Sequence, residues 1–250
     1  MTLQATRMRA SEMKSRCSVA LNSVNISKNR YTDVLPFDNN RVVLDPSAKG
    51  YINATFIKIS ERVSQFIATQ GPLPHTFEDF WEMIIQHHCP VIVMLTQLVD
   101  NYKADDGPRQ FGNICIVTKW IKTSQTSLIL RCLEVNYIES KEPPLCVLHI
   151  QYPDWPDHGV PKDTLAVCEI LKQTSNVPPS LGPIVVHCSA GIGLSELGWF
   201  RPWSNTSFAM MPLSMNLKTS FQIPIKRVHN VLYSNKVHAT GSLLPSCLHK

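Results

Sequence analysis

Residues 184–193 read Ile184-Val-Val-His187-Cys188-Ser189-Ala190-Gly191-Ile192-Gly193. The apolar run at its start predicts a buried strand, and the small residues after Cys188 predict a loop. Such a loop can turn its backbone N–H groups toward an anion, and the same donors stabilise a thiolate at Cys188. The stretch predicts a strand that carries a nucleophilic cysteine into an anion-binding loop. Taken alone, it is also compatible with a purely structural turn.

The chain on the N-terminal side of this stretch alternates between strand-like and helix-like patterns, which is typical of the α/β class. Short apolar runs predict four strands: Val91–Leu95, Ser127–Val135, Leu145–Tyr152 and Ile184–His187. A first helix is predicted to begin at Thr76, with Asp79 completing a capping box. Its apolar stripe comprises Phe77, Phe80, Trp81, Ile84 and Ile85. A second helix is predicted over Thr164–Gln173.

A second chemical signal lies about thirty residues before Cys188, in Trp155-Pro156-Asp157-His158-Gly159. Proline and glycine flank Asp157, which predicts a loop at this point. A carboxyl group on such a loop can protonate a departing phenolate, which is the work of a general acid. The alternative is an ordinary aspartate turn.

Composition and charge restrict the class of protein. The chain has 250 residues, of which 44% are hydrophobic and 17% charged, as in a globular protein with one domain or one domain with tails. No stretch approaches the roughly 18 apolar residues of a membrane span, and the N-terminus lacks the apolar centre of a secretory signal. Eight scattered cysteines without a Cys-x-x-Cys pair argue against a zinc ribbon or a disulfide scaffold. We therefore expect reduced thiols in the cytoplasm, with the nucleus as a second location.

The two ends of the chain differ from its middle. Residues 1–16 are basic and predict a flexible arm, with an organellar transit peptide as the alternative. Residues 197–250 contain six basic residues and no acidic ones, whereas residues 1–196 contain 18 basic and 19 acidic residues. The basic residues of this tail are dispersed and form no nucleic-acid-binding motif. We predict an arm at 1–16, a domain at 17–193, and an atypical basic tail at 194–250 outside the native domain.

Further motifs, taken together in this order and spacing, identify a family. The chain resembles the phosphotyrosine-specific, cysteine-dependent protein tyrosine phosphatase domain over roughly residues 17–193, and the soluble plant members look most similar. Besides the two stretches already quoted, the resemblance rests on Lys28-Asn29-Arg30-Tyr31-Thr32-Asp33-Val34, Pro36-Phe37-Asp38, Arg41-Val42-Val43-Leu44, Tyr51-Ile52-Asn53-Ala54, Gln70-Gly71-Pro72-Leu73-Pro74 and Phe80-Trp81-Glu82-Met83.

The resemblance implies a fold, a reaction and a set of site residues. The fold is a twisted mixed sheet with helices on both faces, incomplete at its C-terminal part in this chain. Cys188 attacks phosphorus while Asp157 protonates the tyrosine oxygen. Tyr31 stacks on the substrate ring and Asp33 holds its peptide backbone. The phosphate-binding residues are His187, Ser189, Ala190, Gly191, Ile192 and Gly193. No metal or cofactor is required, and the substrates are phosphotyrosine proteins, with mitogen-activated protein kinases implied for plant members; neither nucleic acid nor membrane is an expected partner.

The sequence departs from the family pattern at two places. The family has an arginine six positions after the cysteine, and here that position is Leu194. The family's Lys-Cys-x-x-Tyr motif is missing between Lys103 and Ala104, and we find no counterpart of its later central helix or glutamine-bearing loop. These losses predict strongly impaired catalysis in an aberrant or truncated chain. The alternatives are an inactive domain that still binds phosphotyrosine and a non-functional truncation product.

Overall fold

The computed structural model describes residues 14–45, 50–57, 65–97, 102–155 and 164–189, and the backbone of 208–210. Its strands are β1 (Val34–Pro36), β2 (Ala54–Ile57), β3 (Phe66–Gln70), β4 (Val91–Met94), β5 (Arg109–Phe111), β6 (Ile114–Thr123), β7 (Ile129–Tyr137), β8 (Leu145–Gln151), β9 (Ile184–Cys188) and β10 (Phe208–Met210). The α-helices are α1 (Phe77–Gln86) and α2 (Thr164–Ser175). Short 3-10 helices span Ile26–Lys28, Pro74–Thr76 and Pro179–Leu181.

Eight strands form one mixed sheet in the order β2-β3-β9-β4-β8-β7-β6-β5. The four central strands β3, β9, β4 and β8 run parallel, and the flanking pairs are antiparallel. Every residue of β3, β4 and β9 is buried, as expected for strands covered on both faces. Because parallel strands all end at the same edge, the carboxyl ends of β3, β4, β8 and β9 lie together.

Helices α1 and α2 cover opposite faces of the sheet. From α1, Phe80, Trp81 and Ile84 pack in one core cluster with side chains such as Ile92 of β4 and Val185 of β9. From α2, Ala166, Val167 and Ile170 pack in a second cluster with Val93 and Val186, which point the other way from the same strands. This arrangement confirms the predicted mixed sheet with helices on both faces.

The predicted elements are present with shifted ends. The four predicted strands correspond to β4, β7, β8 and β9, and the two predicted helices correspond to α1 and α2. The predicted capping box of α1 is wrong, because Thr76 makes no side-chain bond to the helix. Its hydroxyl instead accepts the Leu73 N–H at 2.8 Å, while Asp79 forms an ion pair with Lys28 at 2.7 Å. Thr76 therefore serves the preceding turn, and Asp79 ties the first turn of α1 to the segment that contains Lys28.

A separate two-stranded pair joins distant parts of the chain. The backbone of β10 pairs antiparallel with β1, with Leu35 opposite Ala209. The rest of the tail lies outside the described residues, and so do residues 1–13 of the predicted arm. The predicted domain boundaries remain predictions. None of the described helices has the length and apolar character needed to cross a membrane.

Candidate active site

Cys188 is the last residue of β9, in the middle of the sheet. β9 lies between β3 and β4, and Cys188 is paired in register with Gln70, the last residue of β3. The Gly71 N–H donates to the Ser189 carbonyl at 3.1 Å, which continues the pairing of the two chain segments past the ends of the strands. Cys188 is buried, with 9% of the residue exposed to solvent. The strand thus fixes the cysteine at the edge where the parallel strands end.

Tyr31 comes from a distant part of the sequence and meets the residue after the cysteine. Its hydroxyl lies 2.8 Å from the Ser189 hydroxyl, so the two groups share a hydrogen bond. Tyr31 is 40% exposed, which leaves much of its ring open to solvent. Asp33 follows two residues later, half-buried and directly before β1. An exposed aromatic ring therefore lies beside the residue that follows Cys188.

The two residues before Tyr31 are held by hydrogen bonds to different parts of the chain. Asn29 is anchored by its side-chain oxygen, which accepts hydrogen bonds from the Tyr51 hydroxyl at 2.7 Å and the Asn53 amide at 3.0 Å. The next residue is held as well, because the Arg30 guanidinium donates to the carbonyls of Gly71 and Pro72 at 3.0 and 3.1 Å. These bonds restrict the backbone that carries Tyr31, because each involves a buried or half-buried group.

His187 points into the core below the cysteine. Its Nε2 lies 2.5 Å from the hydroxyl of Tyr102, and the same hydroxyl lies 2.8 Å from Nε2 of His149. The Tyr102 hydroxyl is thus within hydrogen-bonding distance of both imidazoles, whose tautomers decide which group donates in each bond. Burial lowers the pKa of His187 to about 3 and holds the pKa of His149 well below its usual range. Both histidines are therefore neutral at pH 7.

Basic side chains lie on the same side of the molecule as these histidines. Arg131 makes a two-pronged contact with the Asp105 carboxylate at 2.7 and 2.8 Å and also donates to the Gln151 side chain at 2.9 Å. Burial and, to a smaller extent, the nearby Arg131 charge together lower the pKa of Lys103 to about 8. The positive charge of this group helps to keep His149 neutral.

Several of the predicted site residues lie outside the described residues. These are the predicted general acid Asp157 and the loop residues Ala190, Gly191, Ile192 and Gly193. Leu194 lies outside them as well. Among the described residues, the structure brings Cys188, His187, Ser189 and Tyr31 together. In the part of the chain that the structure describes, no group of three or more His, Cys, Asp or Glu side chains could hold a metal ion.

Comparison with known proteins identifies the family to which this arrangement belongs. The family model described as protein-tyrosine phosphatase matches residues 25–199, which is well over half of the chain. The chain belongs to the protein-tyrosine phosphatase family. This confirms the resemblance that the sequence motifs indicated.

Individual phosphatases are similar to the chain in sequence and in structure. It is 66% identical over 206 residues to protein-tyrosine-phosphatase PTP1 of Arabidopsis thaliana, covering 76% of this chain and 61% of the relative. It is 36% identical over 197 residues to tyrosine-protein phosphatase 99A of Drosophila melanogaster, covering 71% of this chain and 15% of the relative. The catalytic domain of human protein tyrosine phosphatase non-receptor type 18 superposes with a TM-score of 0.62 at 34% identity, covering 72% of this chain and 70% of that one. The chain thus spans about three fifths of the plant phosphatase.

Two features of this phosphatase site were missed by sequence reasoning. The hydroxyl of Tyr102 lies between the two histidines, directly beside the place where the family's Lys-Cys-x-x-Tyr motif is missing. The side chain of Gln70 holds the backbone on both sides of Asn29, at the Lys28 carbonyl and the Arg30 N–H. One usable signal was present, the Gln70-Gly71-Pro72 motif. Nothing in the spacing of Tyr102 indicated a contact with a residue 85 positions away.

Proposed function

We propose that this chain is a protein tyrosine phosphatase that hydrolyses phosphotyrosine in proteins, at a strongly reduced rate. The observation that carries the proposal is the placement of Tyr31, whose hydroxyl lies 2.8 Å from Ser189, the residue after the proposed nucleophile. An exposed ring at this point can stack on the phenyl ring of a phosphotyrosine. Family membership supplies the reaction, and this geometry supports the specificity.

The proposed reaction has two steps. In the first step, the Cys188 thiolate attacks phosphorus, the phosphorus–oxygen bond to tyrosine breaks, and Asp157 donates its proton to the departing oxygen. In the second step, water attacks the cysteinyl phosphate, Asp157 takes a proton from it, and inorganic phosphate leaves. Asp33 is assigned to the substrate's peptide backbone. The phosphate is assigned to the backbone N–H groups of the loop, which includes His187, Ser189, Ala190, Gly191, Ile192 and Gly193.

Leu194 is the reason for the reduced rate. An arginine at this position would form a charge-assisted, two-pronged contact with phosphate oxygens, and leucine offers neither a charge nor a donor. Loss of one preorganised donor commonly lowers a rate by about 10²–10³, and arginines that stabilise phosphoryl transfer contribute about 10³–10⁵. We expect a loss toward the upper end, because phosphate binding weakens as well.

The proposed substrates are phosphotyrosine-containing proteins. The related human phosphatase PTPN18 has been solved in complex with HER2 phosphopeptides. For this chain we propose the same kind of ligand and, from the resemblance to plant members, mitogen-activated protein kinases as the physiological class. Such substrates place the protein in the cytoplasm or the nucleus.

A second candidate function is phosphotyrosine binding without turnover. It is favoured by the exposed ring of Tyr31, whose hydroxyl contacts Ser189, and by the Arg30 contacts that hold the segment before it. The missing arginine weakens this function too, because it removes much of the attraction for phosphate. The third alternative is a truncation product with neither binding nor activity.

One experiment separates these functions. A labelled phosphotyrosine peptide is titrated with the purified chain while phosphate release is followed, with Cys188→Ser as the blank. Slow release above the blank supports the proposed phosphatase, and saturable binding without release supports the binding module. A protein that does neither and melts without cooperativity contradicts both and is a truncation product. The matching phosphoserine peptide serves as the specificity control.

A further inference from the structure

Gln70 lies between the nucleophile and the segment that carries Tyr31. It is the last residue of β3, is 3% exposed, and is paired in register with Cys188 on the neighbouring strand. Its backbone N–H donates to the Asn53 carbonyl at 3.3 Å, so the residue is fixed on its other side as well. The backbone of Gln70 therefore moves with the strand that positions the cysteine.

The side chain of Gln70 holds the segment before Tyr31 at two points. Its amide oxygen accepts the Arg30 N–H at 2.8 Å, and its amide nitrogen donates to the Lys28 carbonyl at 2.8 Å. Only one orientation of the amide satisfies both bonds, because one partner is a donor and the other an acceptor. The two bonds fix the backbone on each side of Asn29.

Gly71 and Pro72, which follow Gln70, add contacts to Arg30 and to Ser189. The Arg30 guanidinium donates to the carbonyls of Gly71 and Pro72, and the Gly71 N–H donates to the Ser189 carbonyl. One short stretch of chain thus contacts both Arg30 and Ser189, the neighbours of Tyr31 and Cys188. A shift of this stretch would change the distance between those two residues.

We propose that Gln70 is a positioning residue that sets the separation between Tyr31 and Cys188, and through it the preference for phosphotyrosine over phosphoserine. The inference rests on the proposed function, since it names what fixes the depth of that same site. A phosphotyrosine side chain is longer than a phosphoserine side chain by a phenyl ring. A cleft wall held at a fixed height lets only the longer side chain reach the thiol, whereas a mobile wall weakens the stacking and relaxes the discrimination.

The direct test measures the segment itself and requires no catalysis. Amide hydrogen exchange at Arg30 and the ¹⁹F signal of fluorotyrosine at position 31 are compared in the parent chain, Gln70→Ala and Gln70→Glu. In Gln70→Ala we expect Arg30 exchange to accelerate by about tenfold or more, since its acceptor is lost, and the ¹⁹F signal to shift or broaden. Gln70→Glu keeps an acceptor for Arg30 but loses the donor to Lys28, so its effect should be intermediate.

Gln151→Ala is the matched control, because Gln151 is also a buried glutamine at the end of a central strand but contacts Arg131 and Thr96. It should leave the signals of Arg30 and Tyr31 unchanged. The proposal is overturned if Gln70→Ala and Gln70→Glu leave both signals unchanged, or if Gln151→Ala moves them equally. Should Gln70→Ala fail to fold, Gln70→Glu, which has nearly the same shape, decides the question in the same way.

A second arm tests the consequence for the ligand. The ratio of affinities for matched phosphotyrosine and phosphoserine peptides is measured in the parent chain and in Gln70→Glu. We expect the ratio to fall in the variant, and an unchanged ratio contradicts the role in specificity. If the parent binds neither peptide, the proposed function fails, while the exchange and ¹⁹F results still decide whether Gln70 positions Tyr31.

Discussion

Tyr102 shares its hydroxyl group between two buried imidazoles, and one of these belongs to the residue before the proposed nucleophile. His187 and His149 are fully buried, and the hydroxyl lies 2.5 and 2.8 Å from their Nε2 atoms. Burial lowers the pKa of both histidines, so both stay neutral in the folded protein where free histidines become charged. This difference between the folded and unfolded chains links stability to pH.

At the residue scale we therefore predict that stability falls as the pH drops below about 6.5, the ordinary pKa of histidine. The unfolded chain then binds protons that the folded chain excludes, down to the folded-state pKa of about 3 for His187. Each histidine can contribute up to about 1.4 kcal/mol per pH unit in this range. Urea unfolding measured between pH 7.5 and 5 checks the prediction.

Two variants assign this pH dependence to the buried rings. His149→Leu should make the decrease in unfolding free energy shallower, since one of the two fully buried histidines is gone. His75→Ala is the control, because His75 is an exposed histidine whose ring Nε2 lies 2.9 Å from the Ser27 carbonyl oxygen. A parent chain with constant stability between pH 7 and 5 would contradict the prediction.

Single residues differ in how far their roles could be predicted. Cys188 and Tyr31 could be identified because each lies in a local motif with its own chemistry, and the structure places both at one site. Tyr102 could not, since its role depends on partners 47 and 85 positions away. Thr76 has the residue type that often caps a helix. Its hydroxyl instead bonds to Leu73, because the preceding turn competes with the helix end for that hydroxyl.

At the scale of elements, the entry into β9 depends on Gly182. Its φ of 123° is in a region that favours glycine, and a Cβ atom built there would lie 2.4 Å from the His88 carbonyl oxygen. Gly182 thus lets the turn before β9 pack against the turn after α1. This close approach of two backbones holds the strand that ends in Cys188.

We predict that Gly182→Ala destabilises the protein through both backbone strain and this clash. Gly107→Ala is a matched control, because Gly107 has a φ of 122° but no atom within 4 Å of its Cβ position. The strain should cost about 1–3 kcal/mol at either site. The clash should cost Gly182→Ala about 1–3 kcal/mol more, measured as the free energy of unfolding in urea. Equal losses of unfolding free energy in the two variants would contradict the prediction, because they would show that the clash at Gly182 adds no cost.

Two of the strands that sequence patterns predicted share one property. β4 and β9 are apolar runs, and apolar runs mark strands that are covered on both faces. β3 is just as buried but contains Thr69 and Gln70, whose polar side chains are satisfied inside the protein by hydrogen bonds. β6 was missed as well, since its outer half is exposed and carries Lys119 and Lys122. Burial of polar groups and exposure of strands depend on tertiary contacts.

At the scale of the whole molecule, the site depends on pairings between distant segments. β3 lies beside β9 although more than a hundred residues separate them, and Tyr31 meets Ser189 across 158 positions. Periodicity carries no information about such pairing, so the order of the strands could not be predicted from it, and the mixed sheet followed from the family resemblance. The same resemblance identified Leu194 as the main departure from the family pattern.

The central claim is that Cys188 is a phosphatase nucleophile whose rate is limited by the absence of an arginine at position 194. Initial rates of phosphotyrosine peptide hydrolysis should be measured for the parent chain, Cys188→Ser, Leu194→Arg and Leu194→Met. Leu194→Met is the matched control, because it keeps an apolar side chain of similar volume.

We predict a parent rate just above that of Cys188→Ser, no gain in Leu194→Met, and a gain of about 10³-fold or more in Leu194→Arg. A parent rate far above the Cys188→Ser blank would contradict the claim that the arginine is required. Equal rates in Leu194→Arg and Leu194→Met would also contradict it, and would assign the loss to the segment after residue 194.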